Sequence, residues 1–175
     1  MKKVKKIALC GMLAALITVI CLAAYFPYLT YALPALASVF IIVPLFEIGK
    51  KYALFTYLAS FLPIALLAEN EAKMLYLCFF GFYPILKAIY EGFKSRALEY
   101  ICKFFTFNFA VVLAYFALSK LLMVEELDFG EFGRYGAVLF LALGNIVFFL
   151  YDRCLSRLAA FYVIKLRKHI SKFFK

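Results

Sequence analysis

Charged residues in this chain gather into short clusters, and the stretches between them are apolar throughout. Residues 7–26, 31–46, 52–68, 74–89, 104–124 and 135–151 form six such runs of 16 to 21 residues, each with at most one lysine inside. At a rise of about 1.5 Å per residue, a 20-residue helix spans the roughly 30 Å hydrocarbon core of a bilayer. The pattern predicts an all-α polytopic membrane protein with six transmembrane helices in a compact bundle. A β-barrel is excluded, because its strands would alternate apolar and polar residues. Pro34 and Pro44, near the ends of the second run, predict an irregular entry and exit there. Lys87 and Lys120 lie close enough to the ends of their runs to snorkel toward the headgroups.

The first run poses a choice between a cleaved signal and a retained helix. A signal peptide has an apolar core of about 7–15 residues and a small-x-small cleavage site. Here 20 residues pass without a charge, and a cut after Ala24 would put Leu22 where a small residue is wanted. A retained first helix is expected. Composition agrees with the membrane assignment: 67% of the 175 residues are hydrophobic and the mean hydropathy is +0.95, against about 45–50% apolar residues in soluble domains.

Charge fixes the expected orientation. Residues 1–6, 47–51, 87–103 and the stretch from 152 onward would share one side of the membrane, and they hold 17 of the 20 Lys and Arg. Only Lys73, Lys120 and Arg134 fall on the other. Basic segments stay cytoplasmic, so both termini are expected inside, in the plasma membrane. The net charge of +10 is then mainly an inner-face charge, suited to anionic lipid; no nucleic-acid-binding motif is present. The division into domains follows: a transmembrane unit over 1–151 and a basic amphipathic tail over 152–175. In that tail Leu155, Leu158, Tyr162, Leu166, Ile170 and Phe173 recur at steps of three and four, one stripe of a surface helix. The segment 91–104 is expected to form a shorter surface helix, with Glu99 and Lys103 at i, i+4 spacing.

Residues for chemistry are few. The one histidine, His169, lies in the tail, the five cysteines contain no C-x-x-C pair, and there is no phosphate-binding G-x-x-x-x-G-K-[ST] loop. No catalytic set, metal site or cofactor is expected, and the protein is read as a non-enzyme without its own ATPase. What the sequence offers instead is association. Gly11 and Ala15, and Cys10 and Ala14, form two small-x-x-x-small pairs on adjoining parts of one helix, the spacing that lets helices approach closely in lipid. Asn108 and Asn145 lie inside the fifth and sixth runs at similar depth. Each amide needs a partner in hydrocarbon, and the two could bond to one another.

The basic start running into "KIALCGMLAALI", the Gly11-x-x-x-Ala15 frame, the six runs and the two cytoplasmic ends resemble the substrate-capture (S) components of energy-coupling factor transporters. In that family the motif is Ala-x-x-x-Ala; here Gly11 keeps the size but not the identity. The resemblance implies that the chain captures a small, vitamin-like molecule from outside. It further implies docking through Gly11, Ala14 and Ala15 to a transmembrane coupling subunit that carries ATP-binding subunits. A ligand pocket is implied near the outer ends of the later helices, for which depth in the membrane suggests Tyr28, Tyr31, Tyr76 and Tyr135. A scaffold protein is the rival, since the rod-shape-determining membrane subunits resemble the same outline and bind proteins.

Overall fold

The computed structural model describes residues 3–26, 29–121 and 133–167. Among these residues every regular element is helical: α1 (Lys3–Leu22), α2 (Ala32–Val39), α3 (Ile42–Glu47), α4 (Lys50–Leu67), α5 (Asn70–Leu75), α6 (Tyr83–Tyr90), α7 (Arg96–Leu121) and α8 (Gly133–Phe161). A 3-10 turn prolongs α1, a π turn at Tyr76–Phe80 joins α5 toward α6, and a second π turn at Tyr162–Leu166 continues α8. Four stretches are long and apolar enough to cross a membrane: Lys3–Tyr25, Asn70–Tyr90, Arg96–Ala117 and Val138–Lys165. The other two expected crossings fall short of that standard. One is α4, which opens on Lys50 and Lys51 and contains Pro63; the other is the pair α2 and α3.

That pair is a helix broken by its own sequence. Pro44 has no N–H to donate, and its ring crowds the carbonyl four residues earlier, that of Phe40. The hydrogen bonding tightens there: the Phe40 and Ile41 N–H groups donate to Ala37 and Ser38 at 3.2 and 3.1 Å before α3 begins at Ile42. Pro34 is harmless by comparison, because it sits in the first turn of α2, where N–H groups have no helical partner anyway. Gly49, at φ 121°, then reverses the chain into α4, a conformation open to glycine and costly for other residues.

Among the described residues the two expected surface helices are not separate elements. Residues from Arg96 onward are the first turns of α7, and α8 runs without interruption past residue 151 to Phe161. Leu155 and Tyr162, two members of the expected surface stripe, are buried against the protein. Leu158 is exposed, and Ile170 and Phe173 lie outside the described residues.

The packing has two centres. In the first, Ile17 and Cys21 of α1 meet Ala53, Tyr57 and Ile64 of α4, with Ala37, Ile41 and Tyr76 closing the cluster. In the second, Phe79, Tyr83, Phe148 and Ala110 join the π turn, α6, α7 and α8; Phe107 stacks on Phe148 with centroids 4.7 Å apart. Gly81 lies where the π turn meets α4. A methyl group there would sit 2.5 Å from the Tyr57 ring and 2.9 Å from the Tyr76 carbonyl oxygen. Only glycine lets the Tyr57 ring lie flat against this backbone, with its hydroxyl donating to the Leu77 carbonyl at 2.9 Å.

Candidate functional site

The densest chemistry is a buried charge cluster where α6, α7 and α8 converge. Asp152 of α8 accepts from the Tyr83 hydroxyl at 2.6 Å, and its carboxylate pairs with the Lys87 and Lys103 ammonium groups, the latter at 3.3 Å. Lys87 also reaches Glu91 at 2.9 Å and the Asp152 carbonyl at 3.2 Å. Lys103 reaches Glu99 at 2.6 Å and Glu91 at 3.5 Å. The Lys87, Lys103 and Asp152 side chains are only 6%, 3% and 6% exposed, while Glu91 is 46% exposed. Two cations face three carboxylates, and the excess negative charge is carried at the member that water can reach.

Lys87 therefore does not snorkel, as its place near the end of a run suggested. It turns inward because Asp152 supplies a counter-ion there, and a buried ammonium is tolerable only with such a partner. Both lysines of this knot are engaged by several oxygens, so it can lock three helices together. Sequence reading missed the cluster. Its signal was available in Lys87, Lys103 and Asp152 all flanking apolar runs on the side assigned as cytoplasmic.

On α1 the proposed docking face divides. Ala14 is buried with Cys10 against α4, where the Cys10 thiol lies 3.7 Å from the Tyr52 carbonyl. Gly11 and Ala15, on the adjoining part of the helix, are exposed, beside Ile7, Met12 and Val19. A side chain added at Gly11 would meet nothing within 4 Å. One small-residue pair thus seats α1 inside the protein, and the other is left open.

Asn108 of α7 and Asn145 of α8 exchange two hydrogen bonds of 3.0 Å through their side-chain amides. Each amide also donates to a carbonyl one turn back in its own helix, Phe104 at 2.8 Å and Leu141 at 2.7 Å. Of the tyrosines expected at a ligand site, the two with described side chains have different settings. Tyr76 is fully buried, its hydroxyl 2.9 Å from that of Ser60. Tyr31 is exposed and donates to Glu71 at 2.7 Å. Tyr135 falls in the first turn of α8, and Tyr28 lies outside the described residues.

A cleft of about 490 Å3 does lie between α4, α5 and α7. Phe61, Met74, Leu77, Phe82, Phe109 and Leu113 wall it, and Lys73 stands among them. Neither Tyr31 nor Tyr76 lines it. Among the described residues no group of three or more His, Cys, Asp or Glu side chains is placed to hold a metal ion. No family model matches this chain, and neither the curated proteins nor the solved structures contain a match to it.

Proposed function

We propose that this protein is the membrane-embedded substrate-binding subunit of an energy-coupling-factor type uptake system. In this reading the four long apolar stretches, the broken α2–α3 pair and α4 make six crossings with both ends on the basic, cytoplasmic side. The chain takes a small molecule from outside and depends on a transmembrane coupling subunit with its ATP-binding subunits to deliver it. The observation that carries the reading is the division of α1. Leu9, Cys10, Leu13, Ala14 and Ile17 pack the helix internally, so the open Gly11–Ala15 pair is free to seat a second helix. Close approach of small faces is the main source of helix association in lipid. Replacing Gly11 by Leu is expected to leave folding intact and to abolish co-purification of a coupling subunit from native membranes. Retention of every membrane partner by the Gly11→Leu protein would end this reading.

A second reading, a scaffold protein, has its own support. Past residue 151, α8 and the π turn that continues it carry exposed Arg153, Arg157 and Lys165, a charged handle for a cytoplasmic protein. Removing residues 152–175 would not test this, because Asp152, Leu155 and Tyr162 are part of the packed interior. The cleaner test is Arg157→Glu, which a scaffold role predicts will release a soluble partner and a capture role predicts will not.

A further inference from the structure

We infer that the cleft between α4, α5 and α7 binds an apolar molecule ending in a single carboxylate, with the Lys73 ammonium as its counter-ion. The inference deepens the substrate-capture reading and rests on it for its purpose. Its volume of about 490 Å3 falls within the roughly 300–1,000 Å3 of small-molecule sites. Its walls discriminate strongly. Phenylalanine, leucine and methionine side chains form them, with Cys78 and Lys73 the members able to make polar contact. A ligand with polar groups along its body would lose hydration there without replacement, so the body must be apolar.

The position of Lys73 sets the other end of the molecule. Lys73 is half-buried and has no ion pair among the described residues, whereas Lys87 and Lys103 are saturated with carboxylates. Neither Glu69 nor Glu71 lines the cleft, and Glu71 is engaged by the Tyr31 hydroxyl. An ammonium with no counter-ion among the described residues, beside a low-dielectric wall, attracts an anion far more strongly than it would in water. Being one compact cation, it matches one carboxylate. Lys73 lies in the last turn of the short α5, and Leu77 and Phe82 follow it along the chain. The path from Lys73 to Phe82 runs through the π turn at Tyr76–Phe80, so it is somewhat shorter than the roughly 14 Å of nine residues of α-helix. That is the reach of a medium-length chain or a fused ring pair with a side arm, held with its carboxylate toward the outer end.

The test uses decanoate, decanol and decyltrimethylammonium, three probes with the same chain and different heads. Cys78 lines the cleft and reports occupancy through its reaction with N-ethylmaleimide, in protein carrying Cys102→Ser and Cys154→Ser in phosphatidylcholine nanodiscs. Decanoate is expected to slow labelling at least about fivefold, and the other two probes to leave it unchanged. Lys73→Gln should remove the protection and Lys73→Arg should keep it. The inference is overturned if decanol protects as well as decanoate, if no probe protects, or if Lys73→Gln changes nothing. It is also overturned if nanodiscs containing phosphatidylglycerol protect Cys78 without any probe, which would assign the cleft to a membrane lipid. Failure here, with the Gly11→Leu protein still losing its coupling partner, removes this ligand and leaves the capture reading standing.

Discussion

The region from α1 to α6 and the pair α7 and α8 are both apolar helices, yet they are held by different forces. Half of the apolar window within Asn70–Tyr90 is buried, and 44% of that within Lys3–Tyr25, against 17% for both Arg96–Ala117 and Val138–Lys165. The first region interlocks through small and medium side chains, with Ala14, Ala37 and Ala53 letting helices close together. The second touches its neighbours through aromatic rings at one level and polar groups at a few points: Asn108 with Asn145, Ser38 with Tyr151 at 2.7 Å, and the lysine–aspartate knot. In lipid, apolar area alone gives helices no reason to prefer each other over acyl chains. Close fit does that work in one region and polar bonds in the other.

The largest expected effect breaks the second region. Asp152→Ala removes the buried counter-ion that two lysines share and leaves them only the more exposed carboxylates of Glu91 and Glu99. Breaking a buried pair outright typically costs about 3–5 kcal/mol, and the loss here is expected toward the lower end. It should speed hydrogen exchange in α7 and α8 while Cys21, fully buried between α1 and α4, stays resistant to thiol reagents. Equal exposure of Cys21 would mean that the two regions unfold as one. Replacing Lys87, Lys103 and Asp152 together by apolar residues should cost less, since the carboxylates left without lysines, Glu91 and Glu99, are the members that water reaches.

A smaller effect tests the first region. Gly81→Ala puts a methyl group against the Tyr57 ring and the Tyr76 carbonyl, and overpacking of this kind costs about 1–3 kcal/mol. Thermal melting of the purified protein should fall accordingly, and a Tyr57→Leu background should recover part of the loss. The smallest expected effect is the asparagine pair. A double-mutant cycle with Asn108→Ala and Asn145→Ala should give a coupling near the roughly 0.6 kcal/mol average for such bonds in membrane helices. A coupling of zero would leave the aromatic cluster as the only tie between α7 and α8 at that level.

What the sequence made legible follows from what is local. Apolar run length marked the helices, and Pro44 marked the break between α2 and α3, because both effects act within a few residues. The meeting of Asn108 and Asn145 was readable because two amides at equal depth in hydrocarbon have few other options. The Lys87–Asp152 pairing was not, since 65 residues separate the partners and only the packing of α6 on α8 joins them. Nor was the division of α1, as Gly11 and Ala14 differ by less than a turn and only the direction of α4 tells inside from outside. The cleft is less local still. It is a mismatch among three helices, and no single stretch of chain encodes it.

The unbroken length of α8 has a mechanical consequence. Its 29 residues make a rod of about 44 Å, some 14 Å longer than the oily slab that such a rod would cross. A surplus of this kind is absorbed by leaning or by protruding. The grip of Asp152 on two neighbouring helices, and the Tyr162 hydroxyl bonded 3.2 Å from Glu47, oppose leaning at that end. The final turns would then stand clear of the lipid as a stiff post, so that a push applied in the water reaches the interior without a flexible joint between.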